Sequence, residues 1–317
     1  MLKRDFSKSN KEYFSKNKSA LISLLVFLLI GILVFAIFGM NGNFEINGYN
    51  EFSITVTEKE AKDYSSSQRY VGDIVNSYNG KFDTMLVYGE GDDTKFVVRY
   101  LHDLSSSEVL EINKLIAEKL NVSDEKISEH THVGPVVQTK DYLFTAVSIL
   151  LIILVATIFA YARYNGASAM AMIISNLIGL LGFIALGTIL RLQIGMSYLA
   201  MLVVLSLLIT YLAINLFETM HKSSWLASKD YSTALETVLK TSKFRNCAVS
   251  VALMAIGLVL VLMSSSTIKF LAVNLMFMAV VLLAVILYVV PFVWSVFITR
   301  CRQREYKIKP NNIETNK

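Results

Sequence analysis

The sequence predicts a helical membrane protein with six spans and one small α+β domain outside the membrane. Three observations predict this fold class. The 317-residue chain is 54% hydrophobic. Six apolar runs are each long enough to cross a bilayer, for which about 20 helical residues suffice. A polar segment over residues 41–140 separates the first run from the other five.

Topology explains the distribution of charge. The formal net charge is +5, but residues 41–140 are acidic, and the excess of bases flanks the apolar runs. This placement is typical of membrane proteins, so no nucleic-acid partner is expected. The two cysteines, Cys247 and Cys301, both lie beside bases and outside the acidic segment. We expect neither a disulfide framework nor a thiolate metal site from them.

The chain begins with a basic stretch, residues 1–19, followed by the first apolar run, residues 20–40. A cleaved signal peptide would have a shorter apolar core and an A-x-A cleavage site, and neither is found here. The first run is therefore predicted to be an uncleaved membrane anchor with its amino end in the cytoplasm.

Residues 41–140 carry the pattern of a small extracytoplasmic domain. Alternating β-rich segments predict strands, and periodic apolar residues predict helices. In chain order these are a strand over 51–58, a helix over 64–78, strands over 81–88 and 94–100, a helix over 105–120 and an extended segment over 126–133. The order βαββαβ is that of a ferredoxin-like domain, an architecture that hosts many unrelated functions.

Residues 141–299 contain the other five apolar runs, at 142–161, 167–190, 194–217, 244–263 and 268–298. The last is longer than one crossing requires, and Pro291 is expected to bend it. Six spans place both termini on one side. The bases concentrate before the first span, after the second and fourth spans, and in the tail over residues 300–317. The positive-inside rule therefore predicts cytoplasmic termini and an extracytoplasmic domain.

The cytoplasmic loop over residues 219–243 has a helical apolar face that includes Tyr231, Leu235 and Val238 and is bordered by lysines. Such an amphipathic helix can lie on the inner leaflet or pack against the bundle. The sequence leaves both possibilities open.

An ion-driven transporter needs a titratable group inside the membrane. No Asp, Glu, His, Lys or Arg of the last five spans falls near the midplane, because Asp141, Arg163, Glu218 and Arg245 all lie at span ends. The polar residues of the span interiors are neutral. Their expected role is hydrogen bonding between helices, and a polar path for substrate is the alternative. They are Ser175, Asn176, Thr210, Asn215, Ser250 and Asn274.

No enzyme site, cofactor or resident metal is predicted. The sequence has neither a phosphate-binding glycine loop nor a G-x-S-x-G elbow. His130 and His132 are two residues apart on a predicted strand and so face the same way. Glu129 or Asp103 could join them as metal ligands, but no third ligand with diagnostic spacing is visible.

Five short stretches occur in a particular order beside the spans. They are Val133-Gly134-Pro135 before the second span, Tyr161-Ala162-Arg163-Tyr164 at its end, Leu180 to Leu186 in the third, Phe217-Glu218 at the end of the fourth, and Phe244-Arg245-Asn246 with Ser250 in the fifth. In these stretches and in its order of elements, the chain resembles the SecF family. SecF is the smaller of the two SecD/SecF accessory subunits of the bacterial Sec translocon, in the RND superfamily.

The resemblance covers nearly the whole chain and implies one span, an outer ferredoxin-like domain and five further spans. Three motifs depart from the family pattern. Its G-I-D-F-x-G-G after the first span is reduced to Glu45-Ile46-Asn47-Gly48. Its His-Asp pair in the third span corresponds to Ser175-Asn176. Its N-D-T in the fourth span, whose carboxylate is implicated in proton conduction, falls near Leu212, with Asn215 three residues further on. The arginine thought to act with that carboxylate is retained as Arg245.

The resemblance implies a divergent SecF-like subunit of the bacterial plasma membrane that assists protein export or membrane-protein biogenesis. Its expected partners are a SecD-like protein, the Sec channel, exported polypeptide and the lipid bilayer, and its own proton relay is expected to be lost. One alternative is an RND-type exporter of lipids or small molecules, which would need a titratable residue in the bundle. The other is a membrane-anchored scaffold or sensor whose outer domain binds a ligand.

Overall fold

The computed structural model describes residues 2–57, 82–88, 93–100, 105–226, 231–263 and 266–297, with Val71, Asp73, Ile74 and Ser77 between the first two ranges. The chain divides into two compact units. The membrane unit consists of Met1–Asn41 and Lys140–Lys317, and the outer unit is Gly42–Thr139.

Helices dominate the membrane unit, and the described part of the outer unit contains a small sheet together with helical segments. In chain order the helices are α1 (Leu2–Phe38), α2 (Phe44–Asn47), α3 (Ser106–Leu120), α4 (Thr139–Arg163), α5 (Gly166–Ile189), α6 (Met196–Leu226), α7 (Tyr231–Met263) and α8 (Ser266–Ala284). The strands are β1 (Tyr49–Thr57), β2 (Phe82–Tyr88), β3 (Asp93–Tyr100) and β4 (Thr131–Val133).

Six helical stretches of the described chain are long and apolar enough to cross a membrane. They are Lys18–Phe38, Thr139–Arg163, Gly166–Ile189, Met196–Thr219, Arg245–Leu262 and Ile268–Phe297. The predicted six-span architecture is therefore confirmed. Every charged residue of these spans lies within three residues of a span end, which is where a charge can reach water or lipid headgroups.

Small residues let α5 pack closely against two neighbouring helices. A side chain added at Gly31 of α1 would clash with the Cβ and backbone of Ala185. A Cβ at Gly187 would lie 2.6 Å from the Tyr198 hydroxyl oxygen, and that hydroxyl donates to the Phe183 carbonyl at 3.1 Å. Close backbone approach through small residues is the usual basis of helix association in membranes.

By contrast, α4 is mostly exposed along its length. Its buried residues are Ile153, Ala156 and Ala160. Large apolar side chains such as Leu143, Leu150 and Leu154 are more than half exposed. In a bilayer these side chains face lipid or a partner protein.

The last span is irregular where the sequence predicts a bend. After α8, a π-helical turn covers Val285–Val289, and helix then continues to residue 297. The Val290 N–H donates to the Val285 carbonyl, which is an i→i−5 bond. The turn ends two residues before Pro291, whose missing N–H leaves a gap in the helical ladder.

The outer unit contains a four-stranded antiparallel sheet in the order β2-β3-β1-β4. Helix α3 begins at a capping box, in which Ser105 and Glu108 each satisfy the other's backbone N–H. Its buried face, Ile112 and Ile116, belongs to one core with Phe52 and Ile54 of β1.

The strand order is the one that a βαββαβ chain forms when it folds as a split βαβ unit. The helix predicted over residues 64–78 lies mostly outside the described residues, so the ferredoxin-like assignment stays a prediction. The predicted extended segment over 126–133 is too long, because only Thr131–Val133 forms a strand. Before it, Ile127 makes an isolated bridge to Ile54, and the Ser128 hydroxyl binds the backbone N–H of Ser53.

The connection between the fourth and fifth spans is helical in the two parts that the structure describes, residues 220–226 and 231–244. Helix α6 extends to Leu226, and α7 begins at Tyr231 and continues without a break into the fifth span. The predicted amphipathic segment therefore begins the same helix as that span. The side chains of residues 220–244 lie outside the described part of the structure, so the orientation of the apolar face stays a prediction.

Candidate functional site

A neutral polar cluster joins α5 and α6 in the middle of the membrane unit. The Asn176 side-chain amide donates to the Met172 carbonyl at 3.0 Å and to Thr210 Oγ1 at 3.3 Å. The Ser206 hydroxyl donates to Asn176 Oδ1 at 2.9 Å. Asn176 and Ser206 are fully buried. We call Asn176, Ser206 and Thr210 the neutral cluster. None of its groups titrates, so its chemistry is to hold two helices together.

Two other predicted polar positions are buried without a partner. Among the described residues, Ser175 Oγ and Ser250 Oγ have no hydrogen-bond partner, and neither does Asn246 Oδ1, one turn before Ser250 on α7. Asn274 does bond between helices, because its amide donates to Ser197 Oγ at 3.4 Å. Some of the predicted neutral polar residues, such as Asn176 and Asn274, thus form hydrogen bonds between helices. The hydroxyls of Ser175 and Ser250 have no hydrogen-bond partner among the described residues.

The fourth span is apolar at the stretch to which the resemblance assigns the family's carboxylate. Leu212 and Ala213 are buried, and Tyr211 is 60% exposed. Asn215 is half-buried, and its backbone carbonyl accepts the Thr219 hydroxyl at 2.8 Å. Buried Leu and Ala side chains cannot carry a proton, and what Leu212 and Ala213 contribute to α6 is packing.

A charged cluster lies near the end of the fourth span, around Glu218 of α6. The Tyr164 hydroxyl donates to Glu218 Oε2 at 2.9 Å, and Arg163 Nη2 lies 3.8 Å from Glu218 Oε1. The Tyr164 ring also contacts Phe159 and Phe217 edge-on. Arg163, Tyr164 and Glu218 form what we call the end cluster, which connects the end of the sparsely packed α4 to α6.

The end cluster keeps its tyrosine protonated. Burial, followed by the hydrogen bond to Glu218 and its negative charge, raises the pKa of Tyr164 to about 12. The phenol therefore stays a hydrogen-bond donor at any physiological pH. This cluster is suited to holding two helix ends together.

Arg245 begins the fifth span and reaches the same end of α6. Its Nη2 lies 3.4 Å from Thr219 Oγ1, as a hydrogen-bond donor. Thr219 is seven residues beyond Leu212, which is about 10 Å along a helix axis. Arg245 therefore contacts α6 at the end of the fourth span, well away from the stretch around Leu212 to which the resemblance assigns the family's carboxylate.

The Val133-Gly134-Pro135 stretch ends the sheet of the outer unit. Val133 pairs with Tyr49 at the edge of β1, and a Cβ at Gly48 would lie 3.0 Å from the Val133 carbonyl oxygen. Gly48 has a φ of +73°, a conformation that favours glycine. These contacts give the stretch a structural role as the exit from the sheet.

His130 is a core residue of the outer unit. Its ring stacks on Phe52 at 4.2 Å between centroids. Its Nε2 lies 3.0 Å from Asn113 Oδ1, and its Nδ1 lies 2.7 Å from the Tyr100 hydroxyl. An amide oxygen can only accept, so Nε2 carries the proton and Nδ1 accepts from Tyr100. Burial lowers the pKa of His130 to about 4, which keeps the ring neutral at pH 7.

His132 has a different partner, Asn50 Oδ1, at 3.0 Å from its Nδ1. The two histidines thus engage separate neighbours. Within the described residues, no group of three or more His, Cys, Asp or Glu side chains is placed to hold a metal ion.

Comparison with known proteins gives a fold but no sequence relative. No family model and no curated protein matches the sequence. Solved structures of SecDF do match. The first, SecDF in its super-membrane-facing form, has a TM-score of 0.74 at 15% identity, covering 93% of this chain and 40% of that one. SecDF from Thermus thermophilus, described as a translocon-associated membrane protein, has a TM-score of 0.62 at 16% identity, covering 92% and 38%.

The chain therefore has a SecDF-like fold and the apolar spans of a multi-pass membrane protein. The expected resemblance to SecF is supported at the level of the fold. The chain spans about two fifths of the length of the SecDF chains it matches.

The structure brings together only part of the predicted site. Arg163 and Glu218 meet in the end cluster, and Asn176 lies in the neutral cluster, whereas Ser250 and Arg245 join neither. Sequence reasoning missed Ser206 and Tyr164. Their signal was present as a polar residue within an apolar span and an aromatic residue beside Arg163, but the partners are 30 and 54 residues away.

Proposed function

We propose that this chain is a SecF-like accessory subunit that assists protein export or membrane-protein biogenesis at the Sec translocon. The observation that carries this proposal is the SecDF-type fold, shared over 93% of the chain. A fold alone can host several functions, so the proposal also draws on the short family-like stretches beside the spans.

A separate SecD-like protein would supply the remainder of the assembly. This chain corresponds to about two fifths of SecDF and has six candidate spans. Large exposed apolar side chains, such as those of α4, provide area that a second bundle can cover.

The proposed role is a supporting one, without a proton relay in this chain and without catalytic activity. The interiors of the spans offer amides and hydroxyls, and the family's carboxylate position is occupied by buried apolar residues. The sequence carries none of the catalytic motifs sought above. If the assembly uses the proton-motive force, the titratable group belongs to the partner.

The outer unit would contact emerging polypeptide or the outer domain of the partner. The concentration of bases beside one set of span ends favours cytoplasmic termini, which leaves the outer unit on the opposite side of the membrane.

Co-purification tests this function. The tagged full-length protein is extracted in a mild detergent, and its partners are identified by mass spectrometry against a tagged six-span protein of another fold expressed at the same level. We expect a SecD-like protein and translocon components to be enriched with this chain alone. Absence of both would contradict the proposal, and recovery of a homo-oligomer alone would favour an exporter.

A further inference from the structure

An apolar groove opens at one end of the membrane unit between α1, α5 and the last span. Its cavity volume is about 530 Å³. Its walls include Leu21, Leu25 and Leu28 of α1, Ile174 and Ile178 of α5, and Val293 of the last span. Lys18 lies at its edge and is its one charged lining residue among the described residues.

The irregular last span forms one wall of this groove. Val289, which ends the π-helical turn, lines the groove. Phe292, just after Pro291, lines it as well. A π turn and a proline both displace a helix from regular packing. The same irregularity that the sequence predicts at Pro291 therefore leaves space between the last span and α1.

The groove wall differs from the helix contacts inside the bundle. Of the described residues that line it, all except Lys18 are Leu, Ile, Val or Phe. Helices that associate in membranes use small residues, as α1 and α5 do where Gly31 meets Ala185. The groove offers no such residue, so it suits a thin, flexible hydrocarbon chain better than a second helix.

The charge of Lys18 and the position of the groove at the span ends indicate what kind of molecule supplies the hydrocarbon chain. Lys18 is the first residue of the first span, and Phe297, another lining residue, is the last residue of the last span. The groove therefore begins at the bilayer surface and runs inward along the spans. This is the end that the positive-inside pattern assigns to the cytoplasm, where anionic lipids attract basic residues.

We propose that this groove binds one acyl chain of an anionic phospholipid, with the lipid phosphate at Lys18. The apolar wall holds the chain by contact area and lacks hydrogen-bonding groups that would require water. The ammonium group of Lys18 then distinguishes an anionic headgroup from a zwitterionic one. This lipid site is independent of the proposed function, because its occupancy can be measured without any partner protein.

Lipid retention by the purified full-length protein tests this site. The probes are phosphatidylglycerol and phosphatidylcholine with identical acyl chains, titrated separately and counted by native mass spectrometry. We expect one phosphatidylglycerol to be retained with about five-fold higher affinity than phosphatidylcholine, the factor for one base at an anionic surface. Lys18→Gln should abolish that preference, and Ile178→Trp, which fills the groove, should remove the retained lipid of either type.

Matched controls separate this site from general lipid contact. Lys140→Gln removes an exposed lysine that begins another span, and Leu181→Trp adds the same bulk to an exposed position of α5 outside the groove. Neither should change lipid retention. Equal retention of both lipids by the unaltered protein and the Lys18→Gln variant would overturn the proposal. So would a Leu25→Cys variant that cross-links to another membrane protein in cells, because a protein would then occupy the groove.

Discussion

Two hydrogen-bonded polar clusters of this chain, one fully buried at Asn176 and one half-buried at His130, have similar arrangements but differ in what they can do. In the membrane unit, Asn176 is saturated by Met172, Ser206 and Thr210. In the outer unit, His130 is saturated by Tyr100 and Asn113. The first cluster contains only amides and hydroxyls, whereas the second contains an imidazole that can take up a proton.

The difference shows where this protein permits a change of charge. The side chains that hydrogen-bond to Asn176 inside the membrane are hydroxyls, and no Asp, Glu, His, Lys or Arg of the described spans lies away from a span end. Even His130 is held neutral near pH 7, because burial lowers its pKa to about 4. The interior of the bundle thus supports helix packing, which agrees with a supporting subunit.

The largest effect on stability is expected from Asn176→Asp, which places a titratable carboxyl group in the neutral cluster. A carboxyl at this buried site, near the middle of α5, costs about 2.5–3.5 kcal/mol on insertion scales. Burial should raise its pKa, so the protonated form is favoured in the folded state. The free energy of unfolding in lipid micelles should therefore fall as the pH rises from 5 to 8.

Asn176→Leu is the uncharged comparison for that variant. Its loss of stability should not depend on pH over the same range. A pH-independent loss for Asn176→Asp as well would contradict the view that this site excludes charge.

Asn176→Leu itself should cost about 2 kcal/mol, since three hydrogen bonds are lost at roughly 0.6 kcal/mol each. A double-mutant cycle with Ser206→Ala isolates the bond between α5 and α6. We expect a coupling energy of about 0.6–1.7 kcal/mol. As a control, Leu177→Ala removes an exposed side chain beside Asn176 and should show no coupling with Ser206→Ala.

His130→Phe probes the cluster of the outer unit and should cost about 1 kcal/mol, because stacking on Phe52 is kept while hydrogen bonds are lost. The folded pKa of His130 is lower than its ordinary value of 6.5. The unfolded chain then takes up a proton first, so stability is full above pH 6.5 and falls as the pH drops toward 4.

Hydrogen exchange of α3 and β1 in the full-length protein, measured across this pH window, reports the effect. His130→Phe should flatten the pH dependence, and His132→Gln should leave it intact. If the pH dependence of exchange persists in His130→Phe, a group other than His130 is responsible for it.

The smallest effect is expected at the end cluster. Tyr164→Phe keeps the ring contacts with Phe159 and Phe217 but removes the hydrogen bond to the partly exposed Glu218. We expect a loss of about 0.5–1 kcal/mol in global stability. Exchange at the last turn of α4 should rise more than exchange in α5. Equal protection of both helix ends in the variant would show that other contacts hold α4.

Much of the fold follows from local patterns in the sequence. Runs of about 20 apolar residues predict the six spans, and alternation predicts β1, β2 and β3. The cap of α3 at Ser105 is also a local signal, because the capping box joins residues three positions apart. The short helix α2 was missed, although the Asn43 side chain caps it.

The remaining features depend on partners far away in the chain. The shortening of β4 follows from the Ser128 side chain binding β1 across 75 residues. The pairing of Glu218 with Tyr164 requires the end of α4 to lie at the level of Glu218, eight residues before the end of α6. The groove requires three separate helices to leave a gap. A single sequence gives the polarity of such positions but not which of them meet.

Proton flux tests the central claim most directly. The purified chain, reconstituted alone in liposomes with an imposed membrane potential, should conduct no more protons than protein-free liposomes, because its described spans carry no Asp, Glu, His, Lys or Arg away from their ends. Asn176→Leu should behave in the same way. Potential-driven flux through the unaltered chain that is lost in Asn176→Leu would contradict the account, since the neutral cluster would then be part of a proton path.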